Sequence, residues 1–231
     1  MSNNWPDFPI SVYEATGGLI GDSVIICGGW GEIFIPGWGN VYNPVNECYS
    51  MTSEKATIVT QMSVGRSSAA SIVINDNTLW ITGGSGSNSE LLASTEYVTL
   101  TETMPGPTMP IGLLNHAIVA INSTFSMVIG GLDENRIQTL MMTGNLQTIS
   151  TYFYDHNEEE WITGPSLMNA RESHAAGMVT DEVTSEHFVV VTGGKDSSFY
   201  LDSTEILQDG EWVQGKINNT ICRLLKNLLV A

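Results

Sequence analysis

Short runs rich in Val, Ile, Thr and aromatic residues alternate with breaks of Gly, Asn, Asp and Ser through the first 215 residues. No stretch there keeps apolar positions at helical spacing, so the pattern predicts an all-β chain of short antiparallel strands. Four runs, SVIICGG, LWITGG, SMVIGG and FVVVTGG, end on a glycine doublet: Gly28-Gly29, Gly83-Gly84, Gly130-Gly131 and Gly193-Gly194. Recurrence on this scale marks a repeat architecture. A buried strand closing on two glycines predicts a turn with positive φ or a close backbone approach, both opposed by a Cβ.

Self-comparison extends the repeat. Ala15, Ala70 and Ala117 each stand thirteen residues before the first glycine of their doublet, and Ala175 falls into line if the turn around TDEVTSEH carries five extra residues. LASTEY resembles LDSTEI, and EEWITG resembles GEWVQG, marking third and fourth strands. Each unit therefore reads as four strands, with Tyr97, Tyr154, Trp161 and Trp212 as apolar wedges between neighbouring sheets.

These residues resemble the kelch repeat: Gly-Gly after the second strand, Tyr in the third, Trp opening the fourth, and a downstream Arg-x-x-His-Ala. The fullest match is WITGPSLMNARESHA, with Trp161, Arg171, His174 and Ala175. Elsewhere Arg66 is kept but Ala69 replaces the histidine, and His116-Ala117 is kept but Leu113 replaces the arginine; Ala56 and Thr103 stand near the missing tryptophans. The resemblance implies a kelch-type β-propeller of radially arranged four-stranded antiparallel blades. It does not imply a chemistry, because function lives in the site.

The repeats place a propeller region over 1–215 and an atypical tail over 216–231, where Leu224, Leu225, Leu228, Leu229 and Val230 have the spacing of a short amphipathic helix. Trp5 reads as an additional fourth strand. Four sets of first to third strands with five fourth-strand segments do not close a four-bladed ring, which predicts an incomplete ring from a longer, six-bladed parent, unless Trp5 or Trp212 lies outside the sheets.

Composition narrows the partners. The 231 residues hold 25 acidic and 8 basic side chains, a net charge of −17, and such a surface repels phosphate backbones and anionic headgroups. Nucleic acid and membrane are therefore not expected partners. MSNNWPDFPI does not read as a secretory leader, and the compartment stays open, cytoplasmic or extracellular, if the true start lies upstream. His116, His156, His174 and His187 lack metal-ligand spacing, and no nucleophile elbow, phosphate loop or dinucleotide fingerprint occurs. No metal, cofactor or enzymatic activity is expected. Cys27 and Cys48 lie on adjacent expected strands, where a disulfide and two buried thiols both fit. Asn122-Ser-Thr and Asn218-Asn-Thr are acceptor sequons that matter in a secreted chain.

In the kelch resemblance, the loops after the doublets and the turns around the Arg-x-x-His position grip partners on one face. Here they carry Trp30, Arg66, Ser67, Asp133, Arg171, Glu172, Lys195 and Asp196. Arg and Trp are frequent interface hot spots, while Arg66 and Arg171 equally fit a brace between blades. The segment from Trp30 to Asn46, with Trp38, reads as a long loop, self-packed or seating a peptide or sugar. The expectation is a scaffold binding a protein or peptide. The alternative is a carbohydrate-binding or galactose-oxidase-like propeller fragment, and a ubiquitin-ligase adaptor would need a recruiting domain beyond these residues.

Overall fold

The computed structural model describes residues 6–37, 39–133, 147–180 and 185–215. Trp5, Trp38, Asn218 and the leucine-rich tail lie outside them. The chain divides into two units, Met1–Leu114 and Asn115–Ala231. Every regular element among the described residues is a strand.

In the first unit, β1 (Val12–Tyr13) precedes β2 (Thr16–Ile20) and β3 (Ser23–Cys27), and β4 (Trp30–Ile35) precedes β5 (Gly39–Pro44). Next come β6 (Glu47–Met51), β7 (Ala56–Gln61), β8 (Ala70–Asn75), β9 (Thr78–Thr82), β10 (Thr95–Val98), β11 (Thr103–Pro105) and the short β12 (Leu113–Leu114). They form two four-stranded antiparallel sheets, β2-β3-β6-β7 and β8-β9-β10-β11, and a small sheet β1-β4-β5. Between the large sheets lie Ile20, Ile25, Cys27, Cys48, Met62, Leu79, Ile81 and Val98, all nearly inaccessible to solvent.

The second unit repeats the plan. It contains β13 (Ala117–Ala120), β14 (Phe125–Ile129), the short β15 (Leu132–Asp133), β16 (Thr151–Asp155), β17 (Glu160–Thr163), β18 (Ala175–Thr180), β19 (His187–Thr192), β20 (Thr204–Gln208) and β21 (Glu211–Gln214). Its large sheets are β13-β14-β16-β17 and β18-β19-β20-β21, packed through Val119, Met127, Ile129, Leu167, Val189, Val191 and Trp212. Trp212 is buried and donates its indole N–H to the Pro165 carbonyl at 3.0 Å. Trp161, half-buried, packs on Tyr154 with ring centroids 4.9 Å apart.

Both glycines of every doublet have positive φ, from 60° to 97°. The second also sits hard against the chain: a Cβ on Gly84 would lie 2.6 Å from the Ser67 carbonyl oxygen, and one on Gly194 2.5 Å from that of Glu172. Conformation and close approach thus act together.

Strand pairing corrects one register. Thr16 pairs with Cys27 as Ala70 pairs with Thr82, Ala117 with Ile129 and Ala175 with Thr192. The equivalent of Ala70 is therefore Thr16, and Ala15 aligns with Ala69, His116 and His174. The one-residue offset between the first and second repeats arises because β8 carries a bulge between Val73 and Asn75, which β2 lacks. A second correction concerns Trp30 to Asn46. It is a hairpin, β4 paired with β5 from Trp30↔Pro44 to Ile35↔Gly39, with Tyr13 of β1 opposite Trp30. Pro36-Gly37 supplies the turn, and glycines that looked like loop punctuation lie within or beside the strands.

Cys27 and Cys48 are direct cross-strand partners on β3 and β6 and are joined by a disulfide. The other sheets hold Thr82↔Thr95, Ile129↔Thr151 and Thr192↔Thr204 at the same pairing position.

Candidate functional site

The arginines are internal clamps. The Arg66 backbone carbonyl accepts from Gly29 N at 2.8 Å, at the end of the first sheet. Its guanidinium reaches into the second sheet, where Nη1 donates to the Gly83 and Ser94 carbonyls at 2.8 and 2.9 Å, and Nη2 pairs with Glu96 Oε1 at 2.7 Å. Arg171 repeats this in the second unit. Its carbonyl accepts from Gly131 N at 2.8 Å, Nη1 donates to Gly193 and Ser203 carbonyls at 2.7 and 3.2 Å, and Nη2 pairs with Glu205 Oε1 at 2.7 Å. Neither arginine exposes more than 1 % of its surface. Of the two roles the sequence allowed, this geometry is the brace, and a partner cannot touch either guanidinium without opening the sheets.

The chain displays the same logic in its own repeats. Main-chain bonds from Gly28, Gly83, Gly130 and Gly193 to the carbonyls of Glu47, Ser94, Ser150 and Ser203 align the third strands. Two residues on stand Tyr49, Glu96, Tyr152 and Glu205; at the arginine position stand Val12, Leu113 and the two arginines. Arg and Glu occur together in two repeats and are both replaced in the others. The signal lay in LASTEY and LDSTEI, whose glutamates would otherwise be odd residues for a buried strand.

The remaining candidates separate by burial. Ser67 is buried, joined to Ser85 by backbone hydrogen bonds of 3.1 and 2.8 Å in both directions. Trp30 is half-buried in the first unit, and Asp133, partly buried, ends β15 in the second. Glu172, Lys195 and Asp196 are brought together. Glu172 and Lys195 exchange backbone hydrogen bonds at 3.1 and 3.0 Å, the positions that Ser67 and Ser85 hold in the first unit.

Around them lies a shallow pocket of about 320 Å³, lined by Gln147, Glu172, Lys195, Asp196 and the turn through Phe199 and Tyr200. Glu172 is 3 % exposed and is the acceptor at its floor: Oε2 takes Asn115 Nδ2 at 2.8 Å, and Oε1 takes Gln147 Nε2 at 3.2 Å, with Lys195 Nζ 3.5 Å away. Asp196 Oδ1 accepts the N–H groups of Ser198 and Phe199, both at 2.7 Å, which hold its carboxyl below the usual carboxylate range and shape the turn. The turn presents Phe199 and Tyr200 at 74 % and 89 % exposure. Sequence reasoning missed Gln147, Phe199 and Tyr200. An aromatic pair inside a serine-rich turn, out of phase with any strand, was the available signal for the last two.

Two histidines stand at the repeat position before β13 and β18: His116 is buried, and His174 is partly buried with both ring nitrogens shielded from solvent. Burial foremost, and then the neighbouring His174, pushes His116 down to about 3; burial, and then the Arg171 charge, pushes His174 down to about 4. Both are neutral in the folded unit at pH 7. Their imidazoles protonate near pH 6.5 in the unfolded chain, so their contribution to stability is flat above about pH 7 and falls as pH drops through 6.5. Relative to His174→Ala, which copies Ala69, the native chain should lose about 2 kcal/mol more between pH 7 and 5. Urea midpoints at the two pH values measure this, and parallel losses in both proteins would refute it.

Among solved structures the chain is similar to that of YjhT, with a TM-score of 0.73 over 92% of this chain and 73% of that one, at 13% identity. Likeness at that identity shows the fold alone: all-β, with four-stranded antiparallel sheets in a β-propeller-like arrangement. No family model and no curated protein matches the chain.

Proposed function

We propose that the chain is a binding scaffold of the kelch type, its four large sheets serving as blades, and that it holds a protein or peptide at the strand ends bearing the glycine doublets. The observation that carries this reading is the pocket of the second unit, where the exposed Phe199 and Tyr200 flank a floor set by Glu172, which Asn115 and Gln147 hold in place, with the exposed Lys195 beside it. Exposed aromatics beside oriented donors and acceptors are the usual anchors of an interface. Among the described residues the four cations are Lys55, Arg66, Arg171 and Lys195, and both arginines are buried in ion pairs. The surface charge therefore favours a cationic peptide.

A peptide library displayed on phage and selected against the chain tests this. Selected peptides should be rich in Lys or Arg and bind less well at high salt. Phe199→Ala with Tyr200→Ala should weaken them at least tenfold, a hot-spot loss, with the melting temperature unchanged. Peptides that bind the double variant equally well would sink the proposal. An aromatic face beside a carboxylate and an amide also suits a sugar ring; binding on a glycan array, lost in the same variant, would favour that second reading.

A further inference from the structure

Asn122, Ser123 and Thr124 form the turn between β13 and β14, a sequon that the binding reading leaves unused. Asn122 and Ser123 are exposed. Asn122 Oδ1 accepts the N–H groups of Thr124 and Phe125, both at 2.8 Å, which commits the amide oxygen to the turn. Nδ2, the nitrogen that a glycan would join, has no acceptor among the described residues. The turn is at the far end of β13 and β14 from Gly130, since Ala120↔Ser126 is the pair beside it and Ala117↔Ile129 the pair beside the doublet. A bulky group on Asn122 would leave the doublet end of its own sheet clear.

The second observation is independent. Cys27 and Cys48 are bridged and no more than 1 % exposed, so the bond is part of the packed core and not a surface oxidation. Such a bridge forms and persists in an oxidising compartment, and in a eukaryotic cell that is also where oligosaccharide is transferred to asparagine.

We propose that Asn122 carries an N-linked glycan on a chain that matures in the secretory pathway. The donor is a lipid-linked oligosaccharide diphosphate. Nδ2 attacks the anomeric carbon, the N–C bond forms, the C–O bond to the diphosphate breaks, the lipid diphosphate leaves with the electron pair, and one Nδ2 proton passes to a base of the transferase. No group changes oxidation state.

The chain is expressed behind a secretory leader in eukaryotic cells, and its peptides are mapped by mass spectrometry after enzymatic deglycosylation in heavy-oxygen water. The Asn122 peptide should be recovered as aspartate carrying the heavy label, and Asn122→Gln and Thr124→Ala should each abolish the glycan at this site while leaving the peptide-binding reading untouched. Unmodified Asn122 in the native chain, or Cys27 and Cys48 recovered as free thiols, overturns the proposal.

Discussion

Replacing Arg171 by alanine is expected to lower the stability of the second unit by about 3 to 5 kcal/mol, the cost of removing one partner from a buried ion pair. Arg66→Ala should do the same in the first unit. The reason is the group left behind. Glu205 is wholly buried; without Arg171 its carboxylate keeps only the N–H groups of Met168 and Asn169 and the Asn169 side-chain amide. The Gly193 and Ser203 carbonyls lose their Nη1 donor as well. The repeat suggests a partial rescue. Arg171→Leu with Glu205→Tyr installs the residue pair that stands at Leu113 and Tyr152, removing both charges together. That double variant should be more stable than either single one, because two apolar or amphipathic groups replace an unpaired buried charge. Urea unfolding of the three proteins decides it. Strictly additive losses would mean that the ion pair is not a unit, and a stable Arg171→Ala would mean that the guanidinium is not a brace.

Opening the disulfide is the second large effect. The bridge spans 21 positions, and a loop of that size restricts the unfolded chain by about 3 kcal/mol in the chain-entropy description. Cys27→Thr with Cys48→Thr is the appropriate comparison, because Thr82↔Thr95 and Thr192↔Thr204 occupy this position in other sheets, and the latter pair hydrogen-bonds at 2.9 Å between hydroxyls. The threonine variant should fold with its strand pairing intact and lose about 3 kcal/mol, and adding reductant should destabilise the native chain and leave the variant unaffected. The check is urea unfolding with and without reductant. With three cysteines in the chain, the bridge leaves one titratable thiol in unfolded, unreduced protein, and three would contradict it.

Both effects follow from side chains at repeat-equivalent positions, which explains how much of the molecule could be read beforehand. The alternation of β-rich runs with glycine doublets was enough for the all-β class and the four strands of each large sheet, since strand formation here depends on local composition and on turns that only glycine accommodates. The sequence presents the hairpin from Trp30 as a loop because its strands are interrupted by glycines and have no neighbour in the repeat. The bulge in β8 was invisible for a related reason: one extra residue on a strand leaves the local pattern intact and shows only in what it pairs with.

The role of the arginines was legible only as a pair of alternatives. The sequence by itself determined that Arg66 and Arg171 occupy equivalent places and that LASTEY and LDSTEI, which carry Glu96 and Glu205, resemble each other. The tertiary structure decided that each arginine meets its glutamate, because thirty or so residues of intervening strand must fold back before a guanidinium can reach the carboxylate. It likewise turned Glu172, Lys195 and the turn through Phe199 and Tyr200 into one pocket. Strand periodicity assigns a residue to a face, whereas which loops share an end depends on how sheets stack, and that is a property of packing between distant segments.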